Sequence, residues 1–181
     1  MKLPSVTAIN QIAYVVPSID DAAKWWVEVM GVGPFLALRD LEFEKSDYLG
    51  EERPITYSAA IAYSGGLNVE LIEPKGPSIF ADWLAAGRSG VQHICVFTDD
   101  FAATVAEAEA RGAKRLQGGT IGGGTLGYYD MTGDQSVILE IASLTPMSLG
   151  LFDMVRQAGA NWDGKTLFIE AAELIAKATA N

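Results

Sequence analysis

The sequence carries one cysteine and one histidine among its 181 residues. A lone cysteine cannot close an internal disulfide, so stability has to come from packing. A lone histidine excludes a His-rich metal centre and any mechanism with two imidazole bases. Acid–base chemistry must then lean on Asp, Glu, Gln or Tyr. Cations are also scarce: 13 Lys plus Arg stand against 23 Asp plus Glu, a formal charge of −10. That balance repels phosphate backbones and anionic lipid headgroups, which argues against nucleic acid and membrane partners. No run approaches the roughly eighteen apolar residues of a membrane span. No basic segment leading into an apolar stretch and a small-residue cleavage site is visible, so the cytoplasm is the expected address.

What is present is a composition that folds. Hydrophobic residues make up 49% of the chain, enough for one packed core over residues 1–181. Ile9 to Val16 reads as a strand ending at Pro17, and Ser18 can cap a helix whose apolar residues Ile19, Ala22, Ala23, Trp26 and Met30 keep helical spacing up to Gly31. Phe35–Leu41, Ile55–Ala62 and Leu67–Ile72 read as three further strands, interrupted by the charged stretch Glu42–Arg53 and the turn Ser64-Gly65-Gly66. Residues 75–90, with a short helix around Phe80–Ala86, form the best linker. The order then repeats: a strand at Val91–Thr98, a helix capped by Asp99 or Asp100 and running through Arg111, and strands near Lys114–Leu116, Gly127–Tyr129 and Val137–Ile141.

Laid side by side, Gln11-Ile12-Ala13-Tyr14-Val15 falls on His93-Ile94-Cys95-Val96-Phe97, and Val69-Glu70-Leu71 on Leu139-Glu140-Ile141. Two copies of a strand-helix-three-strand unit, residues 8–74 and 91–144, imply an α+β fold of paired βαβββ modules sharing one core. Residues 145–181 are left as an extension with helical patterns at Leu149–Gln157 and Leu167–Ala178, suited to packing or a dimer contact.

Strand alternation places Gln11, Glu70, His93 and Glu140 on the face away from the helices, so all four would look into one concavity. One imidazole nitrogen and several oxygens suit Zn²⁺, Ni²⁺, Co²⁺, Mn²⁺ or Fe²⁺ with positions left open. Two carboxylates buried together without a cation would be costly. The competing reading makes Gln11 and the two Glu solvated strand positions and His93 a satisfied core histidine. Trp25, Trp83, Phe35, Phe43, Tyr57, Tyr128 and Tyr129 are the aromatics available to line a pocket. Cys95 should face the same side, but a lone strand Cys usually acts as a small buried hydrophobe.

Over residues 8–144 the chain resembles the vicinal oxygen chelate superfamily. The order Gln11, Glu70, His93, Glu140 is similar to the metal set of eukaryotic-type glyoxalase I, although the positions of its glutathione-recognising Arg and Asn are Val15 and Pro74 here. The runs Val69-Glu70-Leu71-Ile72-Glu73-Pro74 and Gly90-Val91-Gln92-His93-Ile94 are closer to methylmalonyl-CoA epimerase, whose first ligand is usually His. The resemblance implies a cup-shaped mixed sheet, a divalent metal on the four residues, and a homodimer. It also implies proton abstraction next to a carbonyl, with Glu140 as first base and Glu70 acting from the opposite side. The substrate would be an acyl-CoA or a related small carbonyl compound. A glyoxalase I-like lyase, a metal-free bleomycin-resistance-type binding protein and an extradiol dioxygenase are the alternatives; the last looks for two His, and only His93 is present.

Two further motifs are set aside. Gly159 to Thr166 spells a P-loop, but helical pattern precedes it where a strand is needed. Gly122, Gly124 and Gly127 match a dinucleotide fingerprint with no helix opening after them, so Gly118 to Gly127 is expected to be a flexible lip over the cup or, more commonly for such loops, a mobile hairpin connection with no role.

Overall fold

The computed structural model describes residues 8–171 together with Val6. The first strand, β1 (Gln11–Val15), alternates buried and half-buried positions because its two faces meet different cores. Ser18 accepts a hydrogen bond from Asp21 N and starts α1 (Ile19–Trp25), which continues as a π-helical turn (Trp26–Met30). The turn stops at Gly31, whose φ of 63° is a left-handed conformation that costs glycine little.

Next come β2 (Phe35–Glu42), β3 (Lys45–Tyr48), β4 (Glu51–Glu52), β5 (Thr56–Ser64) and β6 (Leu67–Pro74). The charged stretch read as a connection therefore contains two strands. The 75–90 segment holds α2 (Ile79–Ala85), capped by Ser78. The second half supplies β7 (Val91–Phe97), α3 (Phe101–Glu109, capped by Asp100), β8 (Lys114–Ile121), β9 (Gly124–Asp130) and β10 (Ile138–Ser143). Thr145 caps α4 (Pro146–Ala160), with Pro146 in the first turn where its missing N–H costs nothing. The helical pattern read from Leu167 is corrected at its start: Phe168–Glu170 is a strand, β11, parallel to β2, and the remainder of that pattern, 172–178, lies outside the described residues. Its Leu-Phe-Ile run is apolar at either period, so β2's free edge decides.

Among the described residues, eleven strands form one sheet in the order β11-β2-β5-β6-β1-β7-β10-β9-β8-β3-β4. The two halves meet at an antiparallel β1–β7 ladder, and each half has a parallel pair beside it, β1–β6 and β7–β10. The sheet curls strongly, since β3 begins three residues after β2 ends yet pairs with β8 at the far side. Gly119 permits that closure: a Cβ there would lie 2.0 Å from the Lys45 carbonyl oxygen.

Convex and concave faces carry separate cores. Tyr14, Val16, Phe35 and Leu71 pack with Ile19 and Ala23 of α1. Val96, Tyr129, Leu139 and Ile141 pack with Ala108 of α3. The concave core gathers Val15, Phe43, Tyr57, Ile72, Cys95 and Tyr128 around Ile79, Phe80 and Trp83 of α2, which plugs the base of the cup. A fully buried side chain of Phe80's size is worth about 1.5–3 kcal/mol. At the other end α4 folds back against β5, with Val155, Leu151 and Phe152 meeting Leu36 and Ile61. No helix among the described residues is long and apolar enough to cross a membrane.

Candidate metal centre

Register across the central strands builds the site. Ala13 sits opposite both Glu70 on β6 and His93 on β7. One pleat along, Cys95 sits opposite Gln11 on one side and Glu140 on the other, and Glu140 faces Tyr128 of β9. Residues two apart on a strand share a face, so both rows point into the cup. A group of three results: ligand atoms of Glu70, His93 and Glu140 all lie within 4.8 Å of one another. His93 Nε2 is 3.1 Å from Glu140 Oε2 and 3.6 Å from Glu70 Oε2.

Surrounding residues orient these groups. Gln92 Oε1 is 2.5 Å from His93 Nδ1, which as an N–H donor would leave the Nε2 lone pair facing the two carboxylates. Gln11 Nε2 donates to Asn68 Oδ1 at 2.8 Å, and Asn68 Nδ2 donates to the Ala62 carbonyl at 3.1 Å. That chain fixes the amide of Gln11 with its nitrogen committed, freeing Oε1 as a ligand atom. The rings of Phe80 and Tyr128 pack on His93 at 6.3 and 5.0 Å between centroids.

The electrostatics call for a cation. His93 and Glu140 are 1% and 5% exposed, and Glu70 keeps only 13% of its side chain exposed. His93 Nε2 and Glu140 Oε2 approach to 3.1 Å as an ion pair, but both are buried and neither has a hydrogen-bond partner of good geometry. Burial alone would lower the His93 pKa, but the adjoining Glu140 and Glu70 push it up to about 9. Burial raises Glu70; contact with His93 opposes this, and the Glu140 charge adds to it. A protonated His93 would leave one of two carboxylate charges unbalanced, whereas a divalent ion with neutral His93 cancels both. Nitrogen and oxygen donors at this spacing fit a divalent transition metal.

Above these groups lies a cavity of about 210 Å³. Gln11, Glu70, Cys95, Glu140, Tyr57 and Tyr128 form its polar end. Burial, then the two carboxylates, raise the pKa of both tyrosines, so their phenols stay protonated. The other expected aromatics divide differently. Phe43 and Trp83 lie in the core beneath, Phe35 and Tyr129 face the convex side, and Trp25 is half exposed. Cys95 is buried, and burial followed by Glu140 lifts its thiol pKa. Ser148, Leu151 and Phe152 of α4 also line the cavity. Sequence offered no sign of this, because an amphipathic helix beyond the repeat does not state which surface it covers.

The glycine segment is not a flexible lip: Gly118 to Ile121 and Gly124 to Gly127 are paired strands, joined by Gly122 and Gly123 at φ values of 55° and 76°. Only its tip, at Ile121, Gly122, Gly124 and Thr125, reaches the cavity. The P-loop string begins in the last turn of α4, and its Asp163 carboxylate already takes the N–H groups of Lys165 and Thr166 at 2.8 and 2.7 Å, groups a phosphate would need.

Among curated proteins, none matches the sequence. Among solved structures, a Mycobacterium tuberculosis methylmalonyl-CoA epimerase is similar at 14% identity and a TM-score of 0.57, over 83% of this chain and 96% of that one. A Streptomyces coelicolor methylmalonyl-CoA epimerase in complex with 2-nitronate-propionyl-CoA gives 21% identity and a TM-score of 0.53, over 78% and 97%. A hypothetical protein from Bacillus halodurans C-125 gives 17% and 0.53, over 76% and 94%. These likenesses concern the fold. The superfamily profile itself aligns with residues 10–129, which contain the β1–β7 seam and three of the four expected ligands, Gln11, Glu70 and His93; the chain belongs to the Glyoxalase/Bleomycin resistance protein/Dioxygenase superfamily.

Proposed function

We propose that the protein is a metal-dependent enzyme that removes and returns a proton next to a carbonyl of a small substrate, as an epimerase or isomerase. Gln11, Glu70, His93 and Glu140 would hold the metal. The observation that carries this reading is the pair of buried, unpartnered atoms His93 Nε2 and Glu140 Oε2 beside Glu70, at the polar end of a cavity. A divalent metal (Zn, Ni, Co, Mn or Fe), when bound, supplies Lewis-acid stabilisation of charge developing on the substrate oxygen.

The protein's own groups account for the remaining chemistry. Glu140 would take the proton as first base, with Glu70 acting from the opposite side of the substrate. The Tyr57 and Tyr128 phenols can donate to substrate oxygens. Leu36, Leu38 and Leu126 keep water from the reacting carbon. A glyoxalase I-like lyase would use the same proton step on a hemithioacetal. The reading includes a cytoplasmic homodimer.

Elemental analysis of protein purified without a His tag is expected to find near-stoichiometric transition metal, lost in His93→Ala. Wherever a screen of carbonyl substrates, acyl-CoA and hemithioacetals included, finds turnover, Glu140→Gln is expected to lose it by at least about a hundredfold, as for removal of a general base. No metal after reconstitution would favour a metal-free ligand-binding protein.

A further inference from the structure

The cavity's lining says more about the ligand than the four polar residues do. Among the described residues, no Lys or Arg borders it, and its only charged side chains are Glu70 and Glu140. Arginines elsewhere are engaged on other surfaces: Arg115 with Asp47 and Tyr129, Arg39 with Asp20 and Glu170. A substrate bearing phosphates or carboxylates would find no cationic partner among these lining side chains. The rest of the wall is mostly hydrocarbon, with Leu36, Leu38, Phe97 and Leu126 from the sheet and Leu151 and Phe152 from α4, and with Thr125, Ser143 and Ser148 as its uncharged polar side chains. Phe97 and Phe152 meet edge to face at 5.4 Å, closing the sheet to the helix.

Size sets a second limit. A cavity of about 150 Å³ walled by Leu, Ile and Phe accepts benzene. The 210 Å³ found here, open on one side, therefore encloses roughly ten non-hydrogen atoms of a ligand.

We propose that the site's substrate is a compact, uncharged molecule with an aromatic or branched apolar body and two neighbouring oxygens, and that α4 selects it by roofing the cup with Leu151 and Phe152. The oxygens face Gln11, Glu70 and Glu140; the apolar body lies against α4. This rests on the metal-centre reading above for the oxygen end, and on the cavity walls alone for the apolar end.

Calorimetric titrations of zinc-reconstituted protein test it, with benzohydroxamic acid, acetohydroxamic acid and propionyl-CoA as probes. Both hydroxamic acids are neutral in solution and chelate through two neighbouring oxygens with release of one proton, and only the first carries a ring. Benzohydroxamic acid is expected to bind about tenfold or more tightly than acetohydroxamic acid, the gain of burying the ring, and more tightly than propionyl-CoA. Leu151→Trp should remove that preference while zinc content and circular dichroism stay unchanged; should it not fold, Ser148→Trp fills the same roof. Equal hydroxamate affinities, or propionyl-CoA binding as tightly as benzohydroxamic acid, would overturn the proposal. Benzamide, which does not depend on the metal, separates the two readings. If zinc fails to load but metal-free protein still binds benzamide and loses it in Leu151→Trp, the metal centre falls and the substrate class stands.

Discussion

Asn68 shows how much of the site depends on side chains that touch no reacting atom. It is fully buried, receives the Gln11 amide and is itself held by the Ala62 carbonyl. Asn68→Ala leaves Gln11 Nε2 buried without a partner, at a cost of about 1–3 kcal/mol. It also lets the amide rotate away. Zinc affinity is expected to fall about 10–100-fold, measured by chelator competition, with the fold retained. Gln11, Glu70, His93 and Glu140 were legible as neighbours because strand alternation fixes which face each occupies. Asn68 and Gln92 were not, since Asn68 reaches Gln11 only through the β1–β6 register, and Gln92 lies on the buried convex alternation yet bends its amide back to His93 Nδ1.

Elements with a strong period were readable, and those without one were not. β1 shows itself by alternation, β5, β6 and β7 by largely apolar runs of strand length, and the caps Ser18 and Asp100 mark helix starts. β3 hides in a charged stretch because its side chains are mostly half-buried or exposed, so nothing in its composition demands a face. β8 was cut short because Gly118 and Gly119 have no side chain to alternate, and it was the missing Cβ that mattered. Gly119→Ala is expected to destabilise by about 1–3 kcal/mol, as overpacking against backbone does. Gly66→Ala, which meets nothing within 4 Å, should change stability by less than about 0.5 kcal/mol. Urea midpoints of the two variants check both.

At the scale of the whole molecule, the duplicated halves are one sheet. The β1–β7 ladder joins them in the middle, and the β3–β8 ladder joins them again where the sheet curls round. Unfolding one half strips hydrogen bonds from the other at two places. Urea unfolding followed by fluorescence of Trp25, Trp26, Trp83 and Trp162 and by far-UV circular dichroism is therefore expected to give coincident, single transitions; separated transitions would mean the halves unfold independently. Zinc at a hundredfold its dissociation constant should shift both together by about 2.7 kcal/mol. The repeat made the two halves legible, but the second junction was not, because nothing in a β-hairpin's own residues names a partner some seventy positions away.

α4 enters the cup from outside the duplicated frame. The four expected ligands are spaced by ladders that α4 does not join, and the helix is tethered to the sheet through Leu144 and β11. Change in residues 145–171 can therefore alter what fits above the ligands without moving them. A lineage carrying this arrangement is free to explore new substrates by mutation or exchange of a single helix, while the ligand positions beneath it stay under separate selection.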